Sequence, residues 1–223
     1  MLVTDLASFP RPNVAVDVAV LTLKGMQLHA LVLERADDPA GMALPGRFIR
    51  PDESVVETLR AALRAKAAVD VGERRPELVG VFDAPGRDLR GWTVSLGHAV
   101  VLPTRQVQGR TVPVGELPEL LFDHAAIVEE AVRRVRLRYE LRPDPDGILT
   151  DPFTLAELRE VHQAVLGEPL QRDSFRRRME PLLLPHVQGG RQTSRSSGGR
   201  PARTWTVATV NKAPRHVRLP RVR

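Results

Sequence analysis

Apolar and polar positions divide the chain into segments of different period. Val14 to Leu23 is a nearly continuous apolar run interrupted by Asp17, and after Lys24-Gly25 the segment Met26 to Glu34 is again rich in Leu and Val. Such runs around a glycine turn predict a pair of strands. Ser54-Val55-Val56-Glu57 has the form of a capping box, the serine accepting from the amide three residues on and the glutamate reaching back. The Ala-, Leu- and Arg-rich stretch to Val69 then predicts a helix of about four turns. Glu77 to Phe82 and Trp92 to Leu102 predict two more strands, separated by the polar loop 84–91. Asp123 is placed to cap a second long helix to about Tyr139, with Ile127, Val128, Ala131, Val132 and Val135 forming its apolar stripe.

Arg142-Pro143-Asp144-Pro145-Asp146-Gly147 breaks this pattern with two prolines and a glycine. It predicts an inter-domain connection over about residues 142–150, separating a first domain, 1–147, from a second, 151–208. Thr154-Leu155-Ala156-Glu157 is a second capping box, opening a helix through Leu166, and Gly167 stands where a left-handed terminator is wanted. A short helix from about Gln171 to Glu180 follows, in which Phe175, Met179 and the next residues Leu182 to Leu184 can face a core. A Gly/Ser/Arg-rich loop, Gly189 to Gly199, leads to the alternating strand Arg203 to Val207. Helix, turn, basic helix, basic loop and strand is the order of a winged helix-turn-helix. Residues 209–223 are left as a basic tail. Trp92 and Trp205 are expected to anchor cores.

Charge changes the picture once it is divided along the chain. The net charge is +6, yet residues 1–147 hold 19 Lys and Arg against 21 Asp and Glu, while residues 148–223 hold 14 against 6. A near-neutral domain joined to a strongly basic one fits a polyanion partner, since clustered arginines release counterions from a phosphate backbone. No apolar run approaches the roughly 18 residues of a membrane span, and Met1 to Asp5 lacks the pattern of a signal peptide, so a cytoplasmic protein is expected. The absence of cysteine excludes disulfides, thiolate metal sites and cysteine nucleophiles. The histidines show no metal-ligand spacing.

The chemistry-bearing stretch is Leu44-Pro45-Gly46-Arg47-Phe48-Ile49-Arg50-Pro51-Asp52-Glu53-Ser54, which resembles the opening of a Nudix box. In an active box, residues 61–69 would read Arg, Glu, aliphatic, any, Glu, Glu, any, Gly, aliphatic. Here they read Ala61-Ala62-Leu63-Arg64-Ala65-Lys66-Ala67-Ala68-Val69, and Arg47 replaces the first glycine of the strict motif. Positions 62, 65 and 66 share one helix face, where an active enzyme holds carboxylates for Mg²⁺. An ammonium at Lys66 repels a divalent cation, and the upstream Glu53 and Glu57 do not rebuild the cluster; Glu57 is already explained by the capping box.

The order of strands, box and the Arg87-Asp88-Leu89-Arg90 loop before a Val-Ser strand is similar to Nudix domains that recognise ADP-ribose, over roughly residues 14–140. With Phe153-Thr154-Leu155, Val165-Leu166-Gly167, Ser174-Phe175-Arg176-Arg177 and Arg200-Pro201-Ala202-Arg203, the whole chain resembles the Nudix-related transcriptional regulators of NAD metabolism. That resemblance implies an α/β/α Nudix-like sandwich with a mixed sheet, followed by a winged helix-turn-helix. It also implies a homodimeric, cytoplasmic repressor of NAD biosynthesis or salvage genes that binds a palindromic double-stranded DNA operator and responds to ADP-ribose or a related nucleotide, with no cofactor, metal or catalytic residue. The ligand contacts expected are Arg47, Arg87, Asp88 and Arg90, against the plainer reading of that loop as a surface turn; His124 is read as an ordinary helix-start residue. The DNA contacts expected are Arg172, Ser174, Arg176, Arg177 and Arg178 on the short helix, and Arg191, Arg195 and Arg200 in the wing. At 100° per residue Arg176, Arg177 and Arg178 splay over a wide arc, so one or two enter the groove and the others position the backbone. Three alternatives stay open: a metal-dependent hydrolase of ADP-ribose, a sugar-metabolism regulator of the same architecture, and an RNA- or membrane-surface adaptor using the basic tail.

Overall fold

The computed structural model describes residues 8–195 and 201–207. They fold as two compact units, one running to Lys24 and over Leu28–Arg134, the other comprising Gly25–Gln27 and the residues from Val135 onward.

The first unit is built on β1 (Asn13–Lys24), β2 (Gln27–Leu31), β6 (Glu77–Phe82), β7 (Thr93–Val101) and β8 (Thr111–Pro113), in the order β6-β7-β1-β2-β8, with β5 (Gly46–Phe48) added on β1. β1 and β7 run parallel, from Asn13 opposite Thr93 to Leu21 opposite Val101, whereas β5 on β1, β6 on β7 and β8 on β2 are antiparallel, giving a mixed sheet. β3 (Leu33–Arg35) and β4 (Gly41–Ala43) form a separate hairpin. The long apolar run of β1, broken only by Asp17, has its cause here, because a central strand covered on both faces buries every residue from Ala15 to Leu21. On one face, Leu59 and Leu63 of α1 (Val55–Ala67) pack against Val16, Val18 and Val20. On the other, Ile127 of α2 (His124–Leu141) approaches Gly97 so closely that a Cβ there would crowd it.

α1 begins in the expected capping box, both reciprocal bonds of Ser54 and Glu57 being formed, and ends at Ala68 in the left-handed region. Asp123 stands just before α2, its carbonyl accepting from Ala126 N and Ile127 N, while both its carboxylate oxygens are directed to Arg87. Trp92 is a correction: it is 58% exposed, because it lies just before β7 at the sheet's rim, where its carbonyl accepts from Asn13 N.

The second unit holds the end of α2, β9 (Phe153–Thr154), α3 (Leu155–Leu166), α4 (Arg172–Met179), β10 (Leu183–Pro185), β11 (Val187–Gln188), β12 (Arg191–Gln192), β13 (Ser194–Arg195) and β14 (Ala202–Val207). β9 and β10 pair with β14, as does β13, and β11 pairs with β12, so part of the segment read as a loop carries short ladders. The core is Phe153, Leu158, Phe175, Met179, Leu183, Trp205 and Val207. Trp205 is therefore an anchor, and of the three leucines Leu183 is buried while Leu184, on the opposite face of β10, is exposed. Thr154 and Glu157 complete the second capping box, and Gly167 closes α3 at φ 78°. The Pro/Gly-rich stretch is folded around Asp144, whose buried carboxylate accepts from Ile148 N at 2.8 Å and Leu149 N at 2.9 Å. Among the described residues no helix is long and apolar enough to cross a membrane.

Candidate functional site

A cleft of about 490 Å³ opens in the first unit, and all four expected ligand contacts, Arg47, Arg87, Asp88 and Arg90, line it. At its floor lies Asp17, the residue that interrupts the apolar run of β1. Its carboxylate is buried; Ser95 Oγ donates to it at 2.6 Å, His124 Nε2 lies 3.5 Å away and Arg87 3.8 Å away. Burial opposes the charge of Asp17, but the His124 and Ser95 hydrogen bonds, with the neighbouring charges, hold its pKa below the usual carboxylate range. Leu44 N donates to His124 Nδ1 at 3.0 Å, which leaves Nε2 to carry the proton that faces Asp17. His124 thus fastens the residue after β4 and the start of α2 to the floor of the cleft, a larger part than that of a helix-start residue.

The Arg87 side chain is almost completely buried and forms a two-pronged pair with Asp123, Nε donating to Oδ2 at 2.8 Å. Arg90 closes a similar fork on Asp88, at 2.9 Å and 2.8 Å, and its backbone N–H donates to the same carboxylate. The Asp88 carboxyl is held low by that fork. Arg90 lies 5.3 Å from the centre of the Phe122 ring, and Arg35 lies 5.9 Å from it, so two guanidiniums meet one aromatic ring. Arg47 is bound to Glu53, whose other donor is Thr58 Oγ1 at 3.2 Å.

On the helix face that holds metal ligands in an active Nudix box, Ala62 is fully buried, Ala65 is exposed, and Lys66 Nζ donates to Gly46 O at 2.5 Å. Among the described residues no three His, Cys, Asp or Glu side chains come together as metal ligands. Gly46 is needed for closeness alone: a Cβ there would overlap Asp17 Oδ1 and the Val16 carbonyl. Sequence reading missed Asp17, Arg35 and Phe122. The interruption of an otherwise apolar strand was the available signal for Asp17, whereas Phe122, at φ 59° just before α2, carries none.

In the second unit α4 presents Arg172, Ser174, Arg176, Arg177 and Arg178 to solvent and buries Phe175 and Met179. Arg176 pairs with Glu180 at 2.7 Å, and Arg177 donates to Ser174 Oγ at 3.4 Å; Arg172, Arg177 and Arg178 have no carboxylate partner among the described residues. Arg191 is exposed in β12, while Arg195 is tied down, donating to Glu157 and to Pro152 O at 2.7 Å each. Arg200 and the basic tail 209–223 lie outside the described residues.

A three-layered sheet domain with a degenerate Nudix helix over a charged cleft, joined to a winged helix with an exposed arginine face, defines a Nudix and winged-helix regulator. Residues 147–207 match the family described as the NrtR DNA-binding winged helix domain. NrtR of Shewanella oneidensis, solved in complex with a 27mer DNA, is 30% identical, with 89% of this chain and 95% of that one covered at a TM-score of 0.72. Its Nudix domain alone, solved with ADP ribose, is 28% identical over 59% of this chain and 94% of that one, at a TM-score of 0.52. An ADPR responsive transcriptional repressor of Acinetobacter baylyi is 26% identical over 96% of this chain and 91% of that protein. An ADP-ribose pyrophosphatase of Methanocaldococcus jannaschii is 26% identical over 46% of this chain and 65% of that protein. The chain belongs to the NrtR family.

Proposed function

We propose that the protein is a transcriptional repressor of NAD biosynthesis or salvage genes, whose Nudix-type domain binds ADP-ribose without cleaving it and thereby controls the winged helix. The observation that carries this reading is the pairing, on one chain, of a cleft rimmed by cationic side chains with a solvent-facing arginine surface on α4. The repressor of A. baylyi and the DNA and ADP-ribose complexes of S. oneidensis NrtR support it from the side of the family. On this reading the ligand domain spans residues 1–147, the connection 142–150, the winged helix 151–208 and the basic tail 209–223. The protein acts as a cytoplasmic homodimer, so that two copies of α4 meet the half-sites of a palindromic operator.

The residues around the Nudix helix do not fit a catalytic metal. Glu53 is engaged by Arg47 and Thr58, Ala62 and Ala65 offer no oxygen, and Lys66 places an ammonium where a cation would sit. Hard divalent cations take several oxygen ligands, and that set is missing. Arg87 and Asp88 brace the cleft through their own pairs, and Arg90 is presented beside Phe122 for the ligand. On α4, Arg172, Ser174, Arg177 and Arg178 are the groups free to contact DNA; Arg176 must leave Glu180 to do so. In the wing, Arg191 is open and Arg195 holds β13 against the start of α3.

A gel shift with DNA from upstream of NAD biosynthesis and salvage genes of the same genome, with and without ADP-ribose, tests the reading. A band that ADP-ribose changes supports it; a band indifferent to ADP-ribose sinks the sensor part, and no band sinks the regulator. The likeness to the pyrophosphatase keeps one rival, Mg²⁺-dependent turnover of ADP-ribose, which phosphate release from AMP in a phosphatase-coupled assay would reveal.

A further inference from the structure

Five cationic side chains line the cleft, and they are not equivalent. Arg47 is committed to Glu53, Arg87 to Asp123 and Arg90 to Asp88. The remaining two, Arg35 and Lys66, have no carboxylate partner among the described residues. Arg35 donates to the Asp38 carbonyl at 3.2 Å, and Lys66 to the Gly46 carbonyl at 2.5 Å. They come from different elements, Arg35 from the β3–β4 hairpin and Lys66 from the last turn of α1. Desolvation and the nearby Arg35 charge press the Lys66 ammonium below the usual lysine range, against the pull of Asp17 and Asp37. Neither cation is neutralised by an ion pair of its own, and Asp17 and Asp37 act on Lys66 only from a distance.

Resting on the ADP-ribose reading, we propose that Arg35 and Lys66 form a built-in clamp for the diphosphate of the ligand, replacing the divalent cation by two fixed charges of the chain. A diphosphate bridge carries two negative charges, which match the two cations without a carboxylate of their own. The carbonyl of Gly46 holds the ammonium in place before the ligand arrives, so ordering Lys66 costs little on binding. Arg35 is likewise steadied by the Asp38 carbonyl and the Phe122 ring. Arg47 and Arg87 then shape the cleft, and Arg90, paired with Asp88, meets the ligand beside Phe122 without adding to its neutralisation.

Calorimetric titration of the full-length protein with ADP-ribose, in EDTA and again in Mg²⁺, tests this. The wild type is expected to bind equally in both. K66Q and R35Q should each weaken binding about tenfold or more, with a shallower loss of affinity on adding salt, while K66R retains most of it. Wild-type affinity in K66Q and R35Q, or a requirement for Mg²⁺, would overturn the clamp. Should K66Q fail to fold, R35Q, on an edge hairpin, decides alone. If the folded wild type binds no ADP-ribose, the effector reading falls instead, and inorganic pyrophosphate becomes the probe. The clamp then stands if the wild type binds pyrophosphate and R35Q does not, and falls if both or neither do.

Discussion

The carboxylate-paired arginines of the cleft and the arginines of α4 are the same side chain put to opposite uses. In the first unit Arg47, Arg87 and Arg90 each meet a carboxylate of their own, and the side chains of Arg87 and Asp88 are almost fully buried while doing so. On α4 the arginines stand in water, and only Arg176 has an acidic partner among the described residues, Glu180, one turn away. A paired, buried guanidinium fixes the shape of a wall, because removing either partner leaves an uncompensated charge. An unpaired, hydrated one remains available to a polyanion and contributes little to stability. Paired charge in the cleft thus makes architecture, and unpaired charge on α4 makes contact.

The sharpest way to break this comparison is Asp123→Ala, which strips buried Arg87 of its two-pronged partner. It should cost about 3–5 kcal/mol in denaturant unfolding of the first unit. A loss below about 1 kcal/mol would mean that the cleft pairs are ornamental and the contrast false. Second in size is the double change R177A/R178A. Each arginine that reads or positions DNA should cost about 1–3 kcal/mol of operator affinity, with a weaker salt dependence and no change in Tm. Unaltered gel shifts would move the DNA contact elsewhere, the basic tail being the next place to look.

The third concerns pH within the second unit. His162 is buried with its ring 5.1 Å from Tyr139 and 5.0 Å from Phe175; desolvation, helped by the Arg178 charge, pushes its pKa down to about 4. The unfolded chain takes up that proton near pH 6.5, so stability is lost as pH falls from about 6.5 towards 4, by up to about 1.4 kcal/mol per pH unit. Asp144 acts with the opposite sign, since burial pushes its pKa up to about 6 from an ordinary 3.8, and its share of stability declines as pH rises across that interval. His162→Leu should flatten the acid loss and Asp144→Asn should steepen it; equal pH slopes in both variants and the wild type would refute both assignments. Smallest are the two capping boxes: Ser54→Ala and Thr154→Ala should each cost about 1 kcal/mol, read as a lower denaturation midpoint at unchanged slope.

The elements were legible because their signals are local. Both capping boxes, the Gly167 terminator, the exposed arginines of α4 and the run from Val14 depend on neighbours in sequence, and all appear in the structure. The cleft was half legible, since the loop of Arg87, Asp88 and Arg90 stands out as a polar insert between strands. What those residues bond to was not. The partner of Arg87 lies 36 positions away, and Asp17 meets Ser95 from 78 positions away, so no period or spacing announces either pair. Trp92 failed for a related reason: a large aromatic at a strand end looks like an anchor until the sheet's rim is known.

The closeness of Gly46 to Asp17 bears on how this protein can evolve. An exposed side chain at the rim of a cleft can be exchanged for another at little cost to the fold. Position 46 has no such latitude, since even a methyl group would occupy space held by Asp17 Oδ1 and the Val16 carbonyl. In a saturation library selected for response to the effector, the least permissive position of the whole cleft should be the one that contributes no side chain to it.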